Sequence, residues 1–180
     1  MYKGIIVLAD GFETVEALAT HDIILRSKKI ESELVGLNKL EIASSNNTIV
    51  KVKKTLKQIN EEDYDFICLP GGKIGVDNLS KSSELKELLL KFYKHDKLIS
   101  AICAAPSILG NYGFLDNKHY TCFPGFQKGK GIYENVGSVV DDKIITGHSM
   151  YYSIEFAERI VYFFLKEEGL KTIYPGTRGI

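Results

Sequence analysis

The stretch Lys97-Leu-Ile-Ser-Ala-Ile-Cys-Ala-Ala-Pro-Ser-Ile-Leu-Gly110 joins a short apolar strand pattern to a helix start rich in small residues. A tight strand-to-helix turn presents its central side chain above the edge of the sheet, and small neighbours let backbone and ligand approach closely. Cys103 holds that central position. Unpaired N–H groups at the start of a helix stabilise a thiolate and lower the pKa of a cysteine. The stretch therefore predicts Cys103 as the chemical centre, the alternative being an inert, buried cysteine.

Further apolar runs of similar length predict the fold around this turn. Short, nearly continuous apolar runs are typical of strands buried on both faces of a parallel sheet, and they occur at 5–9, 34–37, 66–69 and 98–102. Helical patterns occupy 13–28, 82–95, 104–111 and 153–168. A hairpin is expected from 41–43 and 48–52, and short strands between 120 and 142. The alternation predicts an α/β fold, doubly wound, with helices on both faces of a mostly parallel sheet.

Composition bounds the class of protein. The 180 residues are 44% hydrophobic, which is enough for one domain spanning 1–180 with its own core. Basic and acidic residues both number 23, so no net charge attracts nucleic acid or an anionic membrane. No apolar segment approaches the ~20 residues of a membrane span or resembles a signal peptide. Three cysteines without CxxC spacing argue against a disulfide framework or a metal site. We therefore expect a cytoplasmic protein with reduced thiols.

Two further turns follow predicted strands. Ligands of parallel sheets bind outside the carboxyl ends of the strands, so these turns and the cysteine turn should meet at one edge. Glu16 comes after the first turn, and a carboxyl buried beside a thiolate would have a raised pKa and could donate a proton. Gly71 and Gly72 form the second turn, where glycine lets the backbone direct N–H groups toward a ligand. One such N–H, together with one after Cys103, would form an oxyanion hole. Ordinary helix-start and strand-end roles remain the alternatives.

Four motifs carry a resemblance to a known family across nearly the whole chain: Ile5-Ile-Val-Leu-Ala-Asp-Gly-Phe-Glu-Thr-Val-Glu16, Asp65-Phe-Ile-Cys-Leu-Pro-Gly-Gly72, Ala101-Ile-Cys-Ala-Ala-Pro106 and Ser153-Ile-Glu-Phe-Ala157. Together they resemble the ThiJ/PfpI superfamily and, within it, the DJ-1 branch, which includes a Parkinson-disease protein deglycase. The resemblance implies a flavodoxin-like fold, related to class I glutamine amidotransferases, that forms a homodimer and uses no metal or organic cofactor.

The resemblance also implies residue roles. Cys103 would be the nucleophile and the oxidation-prone cysteine, and Glu16 the acid that hydrogen-bonds it. The amides of Gly72 and Ala104 would form the oxyanion hole. Arg26 matches a basic residue near the pocket rim and dimer interface of relatives.

One position departs from the family pattern. This branch places a His-Pro dipeptide near the cysteine, whereas the corresponding stretch here reads Tyr120-Thr-Cys-Phe-Pro124. Phe123 therefore stands where a histidine is expected, which puts a Cys-His mechanism in doubt. His148 follows a predicted strand and is a candidate substitute base, the alternative being a histidine in a surface turn.

Three functions stay open at this point. The first is an enzyme in which Cys103 attacks a small carbonyl substrate, with methylglyoxal and early glycation adducts suggested by the resemblance. The second is a stress protein that senses oxidants through oxidation of Cys103. A third, less supported, is an amidase, protease or thiazole-biosynthesis role, since no Cys-His pair is recognisable.

Overall fold

The computed structural model describes residues 1–180, and a seven-stranded sheet forms its centre. The strands of the chain are β1 (Tyr2–Leu8), β2 (Ile30–Gly36), β3 (Glu41–Ala43), β4 (Ile49–Lys51), β5 (Lys54–Thr55), β6 (Phe66–Leu69), β7 (Leu98–Ile102), β8 (His119–Tyr120), β9 (Ile132–Tyr133), β10 (Ser138–Asp141) and β11 (Ile144–Gly147). The central sheet has the order β10-β11-β7-β6-β1-β2-β5. Its neighbouring strands run parallel except for β10, which is antiparallel to β11 at one edge. The predicted mostly parallel sheet is confirmed.

Helices cover both faces of the sheet: α1 (Thr14–Arg26), α2 (Lys73–Ser80), α3 (Ser83–Lys94), α4 (Pro106–Asn111) and α5 (Ser153–Arg178). Side chains alternate across a strand, so β1 contributes to two separate cores. Ile5 and Val7 join the core formed with α2, α3 and α4. Ile6 and Leu8 join the core formed with α1 and α5. The doubly wound, flavodoxin-like α/β fold is thereby confirmed.

Two helices differ from the sequence prediction. Helix α2 has no predicted counterpart, because it is short and contains Gly75, Asp77 and Asn78, which are weak helix formers. Helix α5 was predicted over residues 153–168. The helical residues instead extend to Arg178, as two helical segments that meet at a kink at the non-helical Lys166, whose φ is 53°. None of the helices combines the length and apolar character that crossing a membrane requires.

The parallel strands end at the same edge of the sheet, and this edge gathers the turns of interest. The predicted hairpin is confirmed as the antiparallel pair of β3 and β4. A bridge between Phe12 and Ser44 places it beside the turn that follows β1. The turns after β1, β6, β7 and β11 therefore lie close together, as the location of functional sites in such sheets requires.

Candidate active site

Cys103 lies on a strained turn directly after β7. Its φ is 64°, in the left-handed region that costs a non-glycine residue about 1 kcal/mol or more. Two backbone hydrogen bonds hold this conformation: the Cys103 N–H donates to the Gly147 carbonyl at 2.9 Å, and the Cys103 carbonyl accepts from the Phe123 N–H at 2.8 Å. Cys68 and Cys122 are both fully buried, whereas Cys103 is partly exposed. The turn thus presents the one accessible sulfur of the three.

Glu16 is buried in the first turn of α1, with 1% of its surface exposed. Its Oε2 accepts a hydrogen bond from the Gly71 N–H at 2.6 Å. A Cβ atom added at Gly71 would lie 2.6 Å from that oxygen and 2.7 Å from the Cβ of Cys103, so only glycine fits between the two side chains. The carboxyl and the cysteine are therefore held against each other by the turn after β6.

Burial raises the pKa of Glu16 to about 7, and the Gly71 amide and the Cys103 thiol only partly oppose this effect. Burial, followed by the negative charge of Glu16, also raises the pKa of Cys103 above its ordinary value. Since each negative charge disfavours the other, the pair loses its first proton with a pKa of about 7 and resists losing the second. The sequence predicted a lowered pKa for Cys103 because the residue lies at a helix start. That prediction is wrong: burial and the charge of Glu16 raise the pKa by more than the backbone amides lower it.

Two backbone amides are directed at the sulfur. The N–H groups of Ala104 and Gly72 both act to lower the pKa of Cys103. Gly72 has a φ of 90°, and a Cβ atom there would lie 2.3 Å from the Gly11 carbonyl oxygen. Glycine is therefore required for the Gly72 amide to reach this place. Both amides therefore lie beside the Cys103 sulfur. That they form an oxyanion hole stays a prediction.

A cavity of about 420 Å³ opens above the Cys103 sulfur. Its apolar lining includes Phe123, Phe126, Met150 and Tyr151, and its charged lining is Glu13, Glu16 and Lys73. Phe123, which stands where the family pattern has a histidine, is thus part of the lining. Met150 and Tyr151 follow β11 at the same edge of the sheet. The expectation that ligands bind beyond the carboxyl ends of parallel strands would have indicated them if it had been applied to β11 as well. Phe126 carried no comparable signal, because it lies in a Gly-rich loop without regular structure.

Three predicted site residues lie outside this lining: His148, Arg26 and Gly71, which separates Glu16 from Cys103. His148 Nε2 lies 3.1 Å from Asn135 Oδ1, and the His148 ring packs edge-on against the Tyr152 ring. Arg26 pairs with Asp22 at 2.7 Å and donates to the Gly176 carbonyl. It lies ten residues after Glu16, roughly 15 Å along α1, and so is at the opposite end of the helix. Two roles therefore stay predictions: that of Arg26 near the pocket rim and a dimer interface, and that of His148 as a base.

The fold and site define a class: flavodoxin-like α/β proteins with a cysteine on the strained turn after a central strand and a buried carboxyl beside it. Within that class the family is shown by sequence. The model of the DJ-1/PfpI family matches residues 3–162, and the chain belongs to this family.

The sequence matches to relatives cover most of the chain. Protein dj-1beta of Drosophila melanogaster is 30% identical over 97% of this chain and 95% of its own length. The Parkinson disease protein 7 homolog of Danio rerio is 30% identical, covering 88% and 87%. A Caenorhabditis elegans relative named glutathione-independent glyoxalase DJR-1.2 is 29% identical, covering 87% and 85%.

Solved structures agree with the fold. Drosophila melanogaster DJ-1beta superposes with a TM-score of 0.90 at 26% identity, covering 97% of this chain and 96% of the other. Toxoplasma gondii DJ-1 in an oxidized form gives a TM-score of 0.87 at 27% identity, covering 98% and 97%.

Proposed function

We propose that this protein is a glyoxalase-type enzyme that acts on small reactive carbonyls through Cys103. The observation that carries the proposal is the convergence of a thiol, a carboxyl with a pKa of about 7 and two amide donors at one point of an open cavity. A group with a pKa near neutrality both donates and accepts protons efficiently. The naming of the Caenorhabditis elegans relative as a glyoxalase supports the same reaction class.

The first step is nucleophilic addition to the aldehyde carbon of a substrate such as methylglyoxal. Glu16 ionises before Cys103, so its carboxylate takes the proton of the thiol as the sulfur attacks, and the reacting form then has the negative charge on Cys103 and the proton on Glu16. A bond forms between the sulfur and the aldehyde carbon, while the π electrons of the carbonyl move to its oxygen. The amides of Gly72 and Ala104 stabilise this oxyanion, and the Glu16 carboxyl gives it a proton. The product is a hemithioacetal.

The second step moves hydrogen between the two substrate carbons. The Glu16 carboxylate removes the C–H proton of the hemithioacetal, the electrons form an enediolate, and a proton returns to the neighbouring carbon. The aldehyde carbon is thereby oxidised to a thioester and the ketone carbon reduced to an alcohol, so no external oxidant is needed. Water then cleaves the thioester, releases lactate and restores the thiol. Glu16 carries the proton transfers in this scheme, because no histidine lines the cavity.

The decisive experiment follows lactate formation from methylglyoxal. Replacing the nucleophile in Cys103→Ser should reduce the rate to that of the buffer, since a serine hydroxyl in this place lacks a comparable activated form. Cys122→Ser is the matched control, because Cys122 is buried and outside the cavity, and it should keep the activity. Lactate formation by Cys103→Ser at the rate of the unaltered protein would overturn the proposal.

A second candidate function is oxidant sensing, favoured by the accessibility of Cys103 alone among the three cysteines. Peroxide would oxidise the thiolate to a sulfenic acid with release of water, and a second equivalent would give the sulfinic acid. Peptide mass spectrometry during peroxide titration should show oxidation at Cys103 before Cys68 or Cys122. Earlier oxidation of either buried cysteine would rule this function out.

A further inference from the structure

The cavity at Cys103 has a lining dominated by large apolar side chains. Phe123, Met150 and Tyr151 are 44%, 49% and 84% exposed and line the same cavity, and exposed apolar side chains that lie together mark binding sites. Phe126 packs edge-to-face against Phe123, with ring centroids 6.3 Å apart. These four side chains present an apolar surface beside the sulfur that nothing in the chain covers.

The size of the cavity exceeds what methylglyoxal needs. A volume of about 420 Å³ falls within the roughly 300–1,000 Å³ of pockets that hold drug-sized ligands. Methylglyoxal carries only a methyl group beside its two carbonyls, and this group leaves most of the apolar lining in contact with water. A larger apolar substituent would remove that surface from water, which is the favourable contribution in such pockets.

The charges around the cavity disfavour an acidic substituent. Glu13 and Lys73 contribute one charge of each sign to the lining, and the Glu16–Cys103 pair adds negative charge that would repel an acidic group. Phe123 adds no charge where the family pattern has a histidine.

We propose that the substrates of this protein are α-oxoaldehydes with a bulky apolar substituent, such as an aryl glyoxal, and that Phe123 is the main residue selecting them. This inference rests on the proposed function and names the substrate class for it. The aldehyde carbon reacts with Cys103, and the apolar substituent packs against Phe123 and Phe126.

Steady-state kinetics with phenylglyoxal and methylglyoxal test the substrate class. The unaltered protein should show a kcat/KM for phenylglyoxal roughly tenfold or more above that for methylglyoxal, as even small apolar groups give such ratios in hydrophobic pockets. Phe123→Ala should bring this ratio close to one, and Tyr151→Ala should lower it less, because Tyr151 is the more exposed. Tyr162→Ala removes a half-exposed tyrosine outside the cavity and should leave the ratio unchanged. A ratio near one in the unaltered protein, or a ratio unaffected by Phe123→Ala, would overturn the inference.

Alkylation of Cys103 separates this inference from the proposed function. Phenacyl bromide and bromoacetone both form a bond between the sulfur and their methylene carbon with loss of bromide, and they differ in the same aryl and methyl groups. Their rates at Cys103, each divided by the rate with free cysteine, should favour phenacyl bromide roughly tenfold, and Phe123→Ala should abolish that preference. If neither glyoxal is turned over but the aryl preference is found, the proposed function fails and the preference of the cavity stands. Equal normalised rates would refute the preference itself.

Discussion

Two glutamates are almost inaccessible to solvent, and their surroundings differ in one respect. Glu16 and Glu61 have 1% and 4% of their surfaces exposed. Glu61 lies 2.9 Å from His95 Nδ1 and 2.5 Å from Lys97 Nζ, and that ammonium also donates to the Glu61 backbone carbonyl at 2.8 Å. Glu16 has no cation beside it, only the Gly71 amide and the Cys103 thiol.

The consequence is a pair of carboxyls with pKa values shifted in opposite directions. Burial acts to raise the pKa of both, but Lys97 and His95 outweigh it at Glu61, whose pKa is lowered. At Glu16 burial prevails, and the pKa rises to about 7. Burial alone thus does not make a carboxyl reactive; burial without a cation leaves it able to exchange a proton at neutral pH.

The largest expected contrast between the two glutamates is in turnover. Glu16→Gln keeps the shape and burial of the side chain but removes the proton that the proposed reaction moves, so kcat for an α-oxoaldehyde should fall by about 100-fold or more. Glu61→Gln should leave kcat unchanged, since its side chain is outside the cavity. Initial rates at pH 7 measure both. Equal losses in the two variants would remove the distinction between a reactive and a structural carboxyl.

The second contrast is in the pH dependence of stability. Folding raises the Glu16 pKa from 4.5 to about 7, so between these values the folded state binds more protons and the free energy of unfolding falls as pH rises. At about 1.4 kcal/mol per pH unit, this amounts to about 3 kcal/mol. The difference between Glu16→Gln and the unaltered protein should therefore grow in favour of the variant from pH 4.5 to 7.5. Urea unfolding across this range measures it, and a constant difference would contradict the raised pKa.

Glu61 should show the opposite and smaller dependence. Because folding lowers the pKa of Glu61, its ionised carboxylate stabilises the folded state at pH values above the ordinary pKa of a glutamate. That contribution is lost as the pH falls through the lowered pKa. Glu61→Gln should cost about 2 kcal/mol at pH 7, less than for a deeply buried pair because the His95 side chain is 48% exposed and Lys97 is near the surface. Its curve should approach that of the unaltered protein in acid, measured by the same unfolding series. A loss that increases on acidification would exclude the ion pair as the cause.

Much of the fold could be predicted because its strands are buried on both faces and therefore read as continuous apolar runs. β7 and β6 have the bounds that their apolar patterns predicted. The unpredicted parts are those where local propensity and final structure disagree. Gly169 and Pro175 lie inside the described extent of α5, where packing of the helix against α1 and the sheet overrides their helix-breaking tendency.

Some residues of the candidate site could likewise be predicted from the sequence, and others could not. The rule that parallel strands end at a common edge was sufficient to bring together Glu16, Gly72 and Cys103. It did not indicate Phe126, because the direction of a loop side chain depends on tertiary contacts. The raised pKa of Cys103 was missed for a related reason: the helix start is visible in sequence, whereas the closeness of Glu16 is set by the turn at Gly71.

The positive φ of Cys103 has a further consequence for the evolution of this chain. Glycine would adopt φ 64° without strain, while a cysteine there carries a local cost of about 1–3 kcal/mol. Selection for stability alone would therefore drive position 103 toward glycine. A cysteine at such a position gives up folding free energy to fix one sulfur atom in place. A search for stabilising substitutions that reached this residue would gain stability by removing the proposed nucleophile.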